Sequence, residues 1–233
     1  MPQPDRKNQK NPILENYIFH TFQRLAWERN NLQVTPDKKN TKIFIKDDKA
    51  CFNTGLFTKN YQPIYGYFEK NDIPEKQHWV LKGFFDDYSF NLSTFEPLPV
   101  RAEYFNDIGD LIYDTKLSLR VQISHILDNP ENKSRLPEEL QEAKNLTILF
   151  DGAIKLAEKK IQANYKVAVP QYYQNNIQIL IPISLRDPDI VDLALTVSKS
   201  DAGYYSGSTC LTMDMAYNNA RLIARPDSDW LKP

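Results

Sequence analysis

At 233 residues, with 41% hydrophobic and 25% charged residues, the chain is long enough to bury a core without disulfides or a structural metal and too apolar to be a disordered tail. Its 29 basic residues stand against 30 acidic ones, a net charge of -1, which excludes a global field for polyanions and leaves any nucleic-acid binding to a local patch. Residues 1–11 are polar, with Pro2 and Pro4, so they lack a secretory signal, and no stretch reaches the roughly eighteen apolar residues of a membrane helix. The expectation is a cytoplasmic protein with no membrane segment.

Residues 1–11 read as a flexible N-terminal arm. Asn11 and Pro12 supply a cap and a first-turn proline, and Leu14, Ile18, Phe22 and Leu25 recur at helical spacing, predicting an amphipathic helix over about 12–30. Four β-type runs follow, at 42–46, 50–53, 64–69 and 78–85, separated by turn residues such as Asp47, Asn60 and Asn71. An antiparallel meander is the natural arrangement. From Leu117 to Ile123 apolar and polar residues alternate as in a strand, yet His125 to Asp128 suits a helix equally well. That element stays open.

Pro137 is expected to open the main helix, with Leu140, Ala143, Thr147, Phe150, Ile154, Ala157 and Ile161 on one face. Beyond it 177–183, 192–197 and 208–215 read as strands, the first so apolar that both of its faces should be covered. The last two are joined by a hairpin-like loop over 201–207. The reading is an α+β fold, a mainly antiparallel sheet with an N-terminal helix and one long central helix packed on it, forming a single domain over 12–233.

Nucleophile-elbow, Walker, dinucleotide-binding and zinc-protease motifs are all missing, as is a C-x-x-C pair. His20, His78 and His125 do not group with Cys51 or Cys210, so no zinc site is expected, and both cysteines sit among apolar neighbours like core thiols. The sequence names no cofactor.

What stands out is a concentration of amides, tyrosines and cations at element ends. Asn164, Tyr165 and Lys166 end the main helix, ahead of Tyr172 and Tyr173; Asp214, Tyr217, Asn218, Asn219 and Arg221 lie at the end of the last expected strand. A cation flanked by Ala220 and Leu222 needs a partner, and Asp214 is the candidate for Arg221. In that arrangement Lys166 and Arg221 hold a phosphate while Asn164 and Asn218 read a sugar or base. Against this stands a plain polar network tying the C-terminal segment down. Asn53, before Gly55, marks either a bulge or a close approach to a ligand. His125, near Asp128 and Arg135, is a candidate acid or base, and a lone histidine is more often structural.

Taken together, the segments 52–56, 125–129, 164–173 and 214–231, with the phrase from Ala216 to Ile223 and the closing Asp227, Ser228, Asp229, Trp230 and Leu231, resemble the family called domain of unknown function 3825. The resemblance supplies no reaction. It implies an RNA-related role by association, since domains of that family occur beside RNA-associated modules. Two readings follow: an RNA- or nucleotide-binding protein in which Lys166, Arg221 and Arg225 hold phosphate while tyrosines and asparagines read the base, or a metal-independent enzyme acting on a nucleotide or phosphoester with His125 and Lys166 as its catalytic groups.

Overall fold

The structure is a computed structural model describing residues 11–31, 41–73 and 75–232. The expected N-terminal arm, apart from Asn11, lies outside the described residues. The chain divides into two compact units, one ending at Glu103 and the other beginning at Tyr104.

In the first unit, helix α1 (Pro12–Asn31) begins where proline at the first helical position predicts, with the Glu15 N–H donating to the Asn11 carbonyl at 3.0 Å. Its buried stripe is Tyr17, Thr21, Leu25 and Glu28, rotated from the expected one, while Leu14 is exposed. Hydrophobicity hides this stripe because two of its members are polar. Glu28 is buried with its charge compensated: Oε1 accepts from Arg24 Nε at 2.7 Å and from the Glu103 N–H at 2.9 Å, and Oε2 is ion-paired with Lys42 Nζ at 2.8 Å.

The predicted meander is present as strands β1 (Ile43–Lys46), β2 (Lys49–Phe57), β3 (Pro63–Lys70) and β4 (Trp79–Asp86), antiparallel and in sequence order. Alternation gives the sheet two apolar faces. Phe52 and Ile43 pack with Leu25 of α1, and Cys51, Tyr65 and Tyr67 pack with Leu92 and Phe95. Gly66 is where the first of these faces closes up: a Cβ there would sit 2.2 Å from Phe52 Cε1.

The second unit has a five-stranded sheet of β5 (Ser118–Val121), β6 (Val169–Tyr173), β7 (Asn176–Ile183), β8 (Leu193–Ser200) and β9 (Tyr204–Leu211), in the order β5-β9-β8-β7-β6. Only β5 and β9 run parallel. Helix α4 (Leu146–Ala163) lays Phe150, Ile154, Ala157 and Ile161 on Ile179, Ile181, Ile183, Leu195 and Val197, so the apolar faces of the main helix and of β7 meet as their patterns predict. Helix α5 (Met213–Ile223) packs mainly on β6. Its Asn219 bonds Gln171, whose partner Gln178 alternates with the α4-facing isoleucines, which places α5 on the opposite face.

The open element resolves into both forms: β5, then helix α2 (Ile123–Asp128), followed by helix α3 (Pro130–Arg135) with Asn129 Oδ1 as its cap. Two boundaries differ from expectation. The main helix starts at Leu146 rather than Pro137, because Gln141 Nε2 bonds back to the Leu136 carbonyl and Glu142 to Lys133, folding 137–145 onto α3. The last strand is Tyr204–Leu211, and the segment read as its second half is α5, started by Thr212, whose side chain accepts from the Met215 N–H. No helix among the described residues is long and apolar enough to cross a membrane. The α+β class with mainly antiparallel sheets holds, distributed over two sheets rather than one.

Candidate functional site

The second unit contains a cleft of about 230 Å³ where the end of α4, the start of β6 and the end of α5 meet. Asn164 does not line it but shapes its first wall. Its N–H closes α4 on the Lys160 carbonyl at 2.9 Å, and its Oδ1 accepts from the Lys166 N–H at 3.1 Å, opening the short 3-10 turn Tyr165–Val167. That turn places the Tyr165 and Lys166 side chains outward, and Tyr165 keeps 59% exposure.

The second wall is the segment after α5. Ser228 Oγ donates to the Lys166 carbonyl and Trp230 Nε1 to the Val167 carbonyl at 2.8 Å, while Leu231 is wholly buried. This pins 225–228 beside the 3-10 turn and puts Arg225 on the same cleft as Lys166. The floor is apolar, made by Leu111, Ile112, Ala168, Pro170, Ala220 and Ile223. Lys166 Nζ is 3.6 Å from Asp227 Oδ2, a loose pair between exposed side chains of the kind worth about 0–1 kcal/mol, so an incoming anion displaces it at little cost.

The remaining predicted residues fall elsewhere. Asp214 lies in the first turn of α5 and Arg221 in its last, about 10 Å of helix rise apart, and neither lines the cleft. Tyr217 is buried on the sheet side of α5, and Asn218 is half-buried with an Oδ1 that has no hydrogen-bond partner. Neither lines the cleft. Their helical setting follows from the Thr212 cap, which strand-like spacing could not reveal. Asn219 instead joins a row across the sheet: Asn219 to Gln171 (3.1 Å), Gln171 to Gln178 (2.9 Å), Gln178 to Ser198 (3.1 Å).

Asn53 belongs to the first unit and shapes backbone there, donating to the Pro99 carbonyl and accepting from the N–H of Gly55, whose φ of 74° is the left-handed conformation that glycine permits. His125 is exposed on α2 and does not line the cleft. Of the loop tyrosines, Tyr205 is buried and stacked on Tyr113 with centroids 4.4 Å apart, Tyr172 is buried, and Tyr204 carries the Arg120 guanidinium 4.0 Å from its ring. Sequence reasoning missed the Leu111–Ile112 wall, whose only signal is an apolar pair in a polar stretch. The thiols of Cys51 and Cys210 are both pushed up to about 12 by burial, so neither is a nucleophile near neutral pH. Among the described residues no group of three His, Cys, Asp or Glu side chains comes together to hold a metal ion.

A family model described as Domain of unknown function (DUF3825) matches residues 3–230. The chain belongs to this family. No curated protein and no solved structure matches the DUF3825 chain.

Proposed function

We propose that this DUF3825 chain is an RNA- or nucleotide-binding protein that works in the cytoplasm and takes one base into the cleft of its second unit. One observation carries the reading: two cations, Lys166 and Arg225, and a largely exposed tyrosine ring, Tyr165, border a single apolar cleft. A nucleobase is flat and apolar on its faces and carries a phosphate a few ångströms away, so it needs an apolar slot, a ring to stack on and a nearby cation. Lys166 and Arg225 answer the phosphate, Tyr165 the ring, and the floor from Ala168 to Ile223 the base. His125 has no place at the cleft, so the geometry favours binding over acid–base catalysis.

The test is fluorescence polarisation with labelled single-stranded RNA decamers, alongside calorimetric titration with AMP. Lys166→Ala and Arg225→Ala should each weaken binding by about tenfold, as loss of a charge-assisted phosphate contact does, with the thermal midpoint unchanged because both side chains are exposed. Tyr165→Ala should weaken RNA binding while Tyr165→Phe retains it. Variants that bind as the parent does, or a parent that binds neither probe, would refute the proposal.

A further inference from the structure

The first unit holds a second cleft, of about 240 Å³, between α1 and its sheet. Phe22 from α1, Ile43 and Ile45 from β1, Phe68 from β3 and Trp79 from β4 make its walls, so apart from Asn30 and Arg29 at the end of α1 the lining is apolar and much of it aromatic. Arg29, in the last turn of α1, also lines it. The Arg29 Nε atom is buried and has no hydrogen-bond partner, whereas Lys42 Nζ is ion-paired with Glu28 Oε2 at 2.8 Å and Arg24 Nε bonds Glu28 and the Glu103 carbonyl.

The geometry points to a binding site for a small aromatic carboxylic acid, with its ring among Phe22, Phe68 and Trp79 and its carboxylate on Arg29. A buried guanidinium N–H without an acceptor is unfavourable, and a carboxylate is the acceptor whose two oxygens match the guanidinium fork. The apolar walls recognise no polar group, so they select for a compact ring and against a hydrated polar ligand. Phe22 and Phe68 stand with centroids 5.8 Å apart and planes tilted by 42°, an arrangement that offers both ring edges and ring faces to an aromatic guest. The partial negative charge at the end of α1 opposes an anion, but it is about half a unit charge and reaches solvent, so the full charge of Arg29 sets the local sign. This site lies within the first unit and is independent of the nucleotide reading.

The probe is 3-phenylpropionate, titrated calorimetrically into the full chain, with 3-phenylpropanamide as the uncharged isostere. The expected result is saturable one-to-one binding of the acid, with the amide weaker by roughly tenfold, and the same roughly tenfold loss for the acid with Arg29→Gln. Ala26→Leu, which fills the cleft from α1, should abolish binding of both probes, whereas the Lys166→Ala/Arg225→Ala double variant should bind the acid as the parent does. If Arg29→Gln does not fold, the acid-to-amide comparison and Ala26→Leu decide. Absence of saturable binding, equal affinity for acid and amide, unchanged binding by Ala26→Leu, or displacement of the acid by AMP would each overturn the assignment.

Discussion

Asn132 offers the sharpest test of how the second unit holds its sheet. The parallel pairing of β5 with β9 ends at Val121 and Gly207, so beyond that point β9 keeps β8 on one side and has no strand on its β5 side. Helix α3 takes over with side chains: Asn132 Oδ1 accepts from the Cys210 N–H at 3.2 Å and from Thr209 Oγ1 at 2.5 Å, and Arg135 Nη1 donates to the Cys210 carbonyl at 2.6 Å and to Asn132 Oδ1 at 3.2 Å. Asn132 and Cys210 are 4% and 1% exposed, so water cannot substitute. Asn132→Ala strands a buried N–H, which costs about 1–3 kcal/mol, and the Arg135 bond to Cys210 survives, so we expect about 2 kcal/mol. That corresponds to a fall of roughly 6 °C in the thermal midpoint for a unit of this size. Asn132→Asp discriminates the cause: all of these donors address one oxygen, which a carboxylate reproduces, so it should hold within about 0.5 kcal/mol of the parent near neutral pH. Urea denaturation followed by circular dichroism measures both. The reasoning fails if the alanine variant is as stable as the parent, or if the aspartate variant is as destabilised as the alanine one.

Gly66→Ala should destabilise the first unit by about 2 kcal/mol or more, because Phe52 is buried and its ring, 5.1 Å from that of Phe22, has no room to yield; a parent-like urea midpoint would count against this packing. Both cysteine thiols should resist a disulfide exchange reagent at pH 8 until the chain unfolds, and prompt reaction of the native protein would contradict their burial. The same shift has a pH consequence. The folded thiols stay protonated toward about 12 while those of the unfolded chain ionise from about 9, so stability is intact below about pH 9 and falls as pH rises through that window, by up to about 1.4 kcal/mol per unit per thiol. Replacing both cysteines by alanine should flatten the decline, and an unchanged slope would show that other groups cause it.

Much of the fold is legible in the residue pattern wherever burial and hydrophobicity coincide. The β1–β4 meander follows from β-type runs set between turn residues, the face of α4 carrying Phe150, Ile154 and Ile161 from helical periodicity, and the interior position of β7 from its unbroken apolar run. Legibility fails where polar groups are buried or caps override the pattern. Glu28 and Thr21 displace the apparent stripe of α1, and Thr212 turns a strand-like run into α5. The site is legible in part for the same reason. Lys166 and Tyr165 lie at a helix end that sequence marks plainly, but which cation joins them depends on the Ser228 and Trp230 bonds, and these bring Arg225 to the cleft while Arg221 stays on α5.

The salt dependence of binding to a single-stranded oligouridylate tests the nucleotide-binding claim most directly, because it counts the phosphate contacts. With Lys166 and Arg225 each neutralising one phosphate, the affinity of the parent should fall with salt at a logarithmic slope of about -1.4, and the Lys166→Ala/Arg225→Ala double variant should bring that slope close to zero as affinity drops. A parent that does not bind the strand, or a double variant that keeps both its affinity and its slope, would contradict the account.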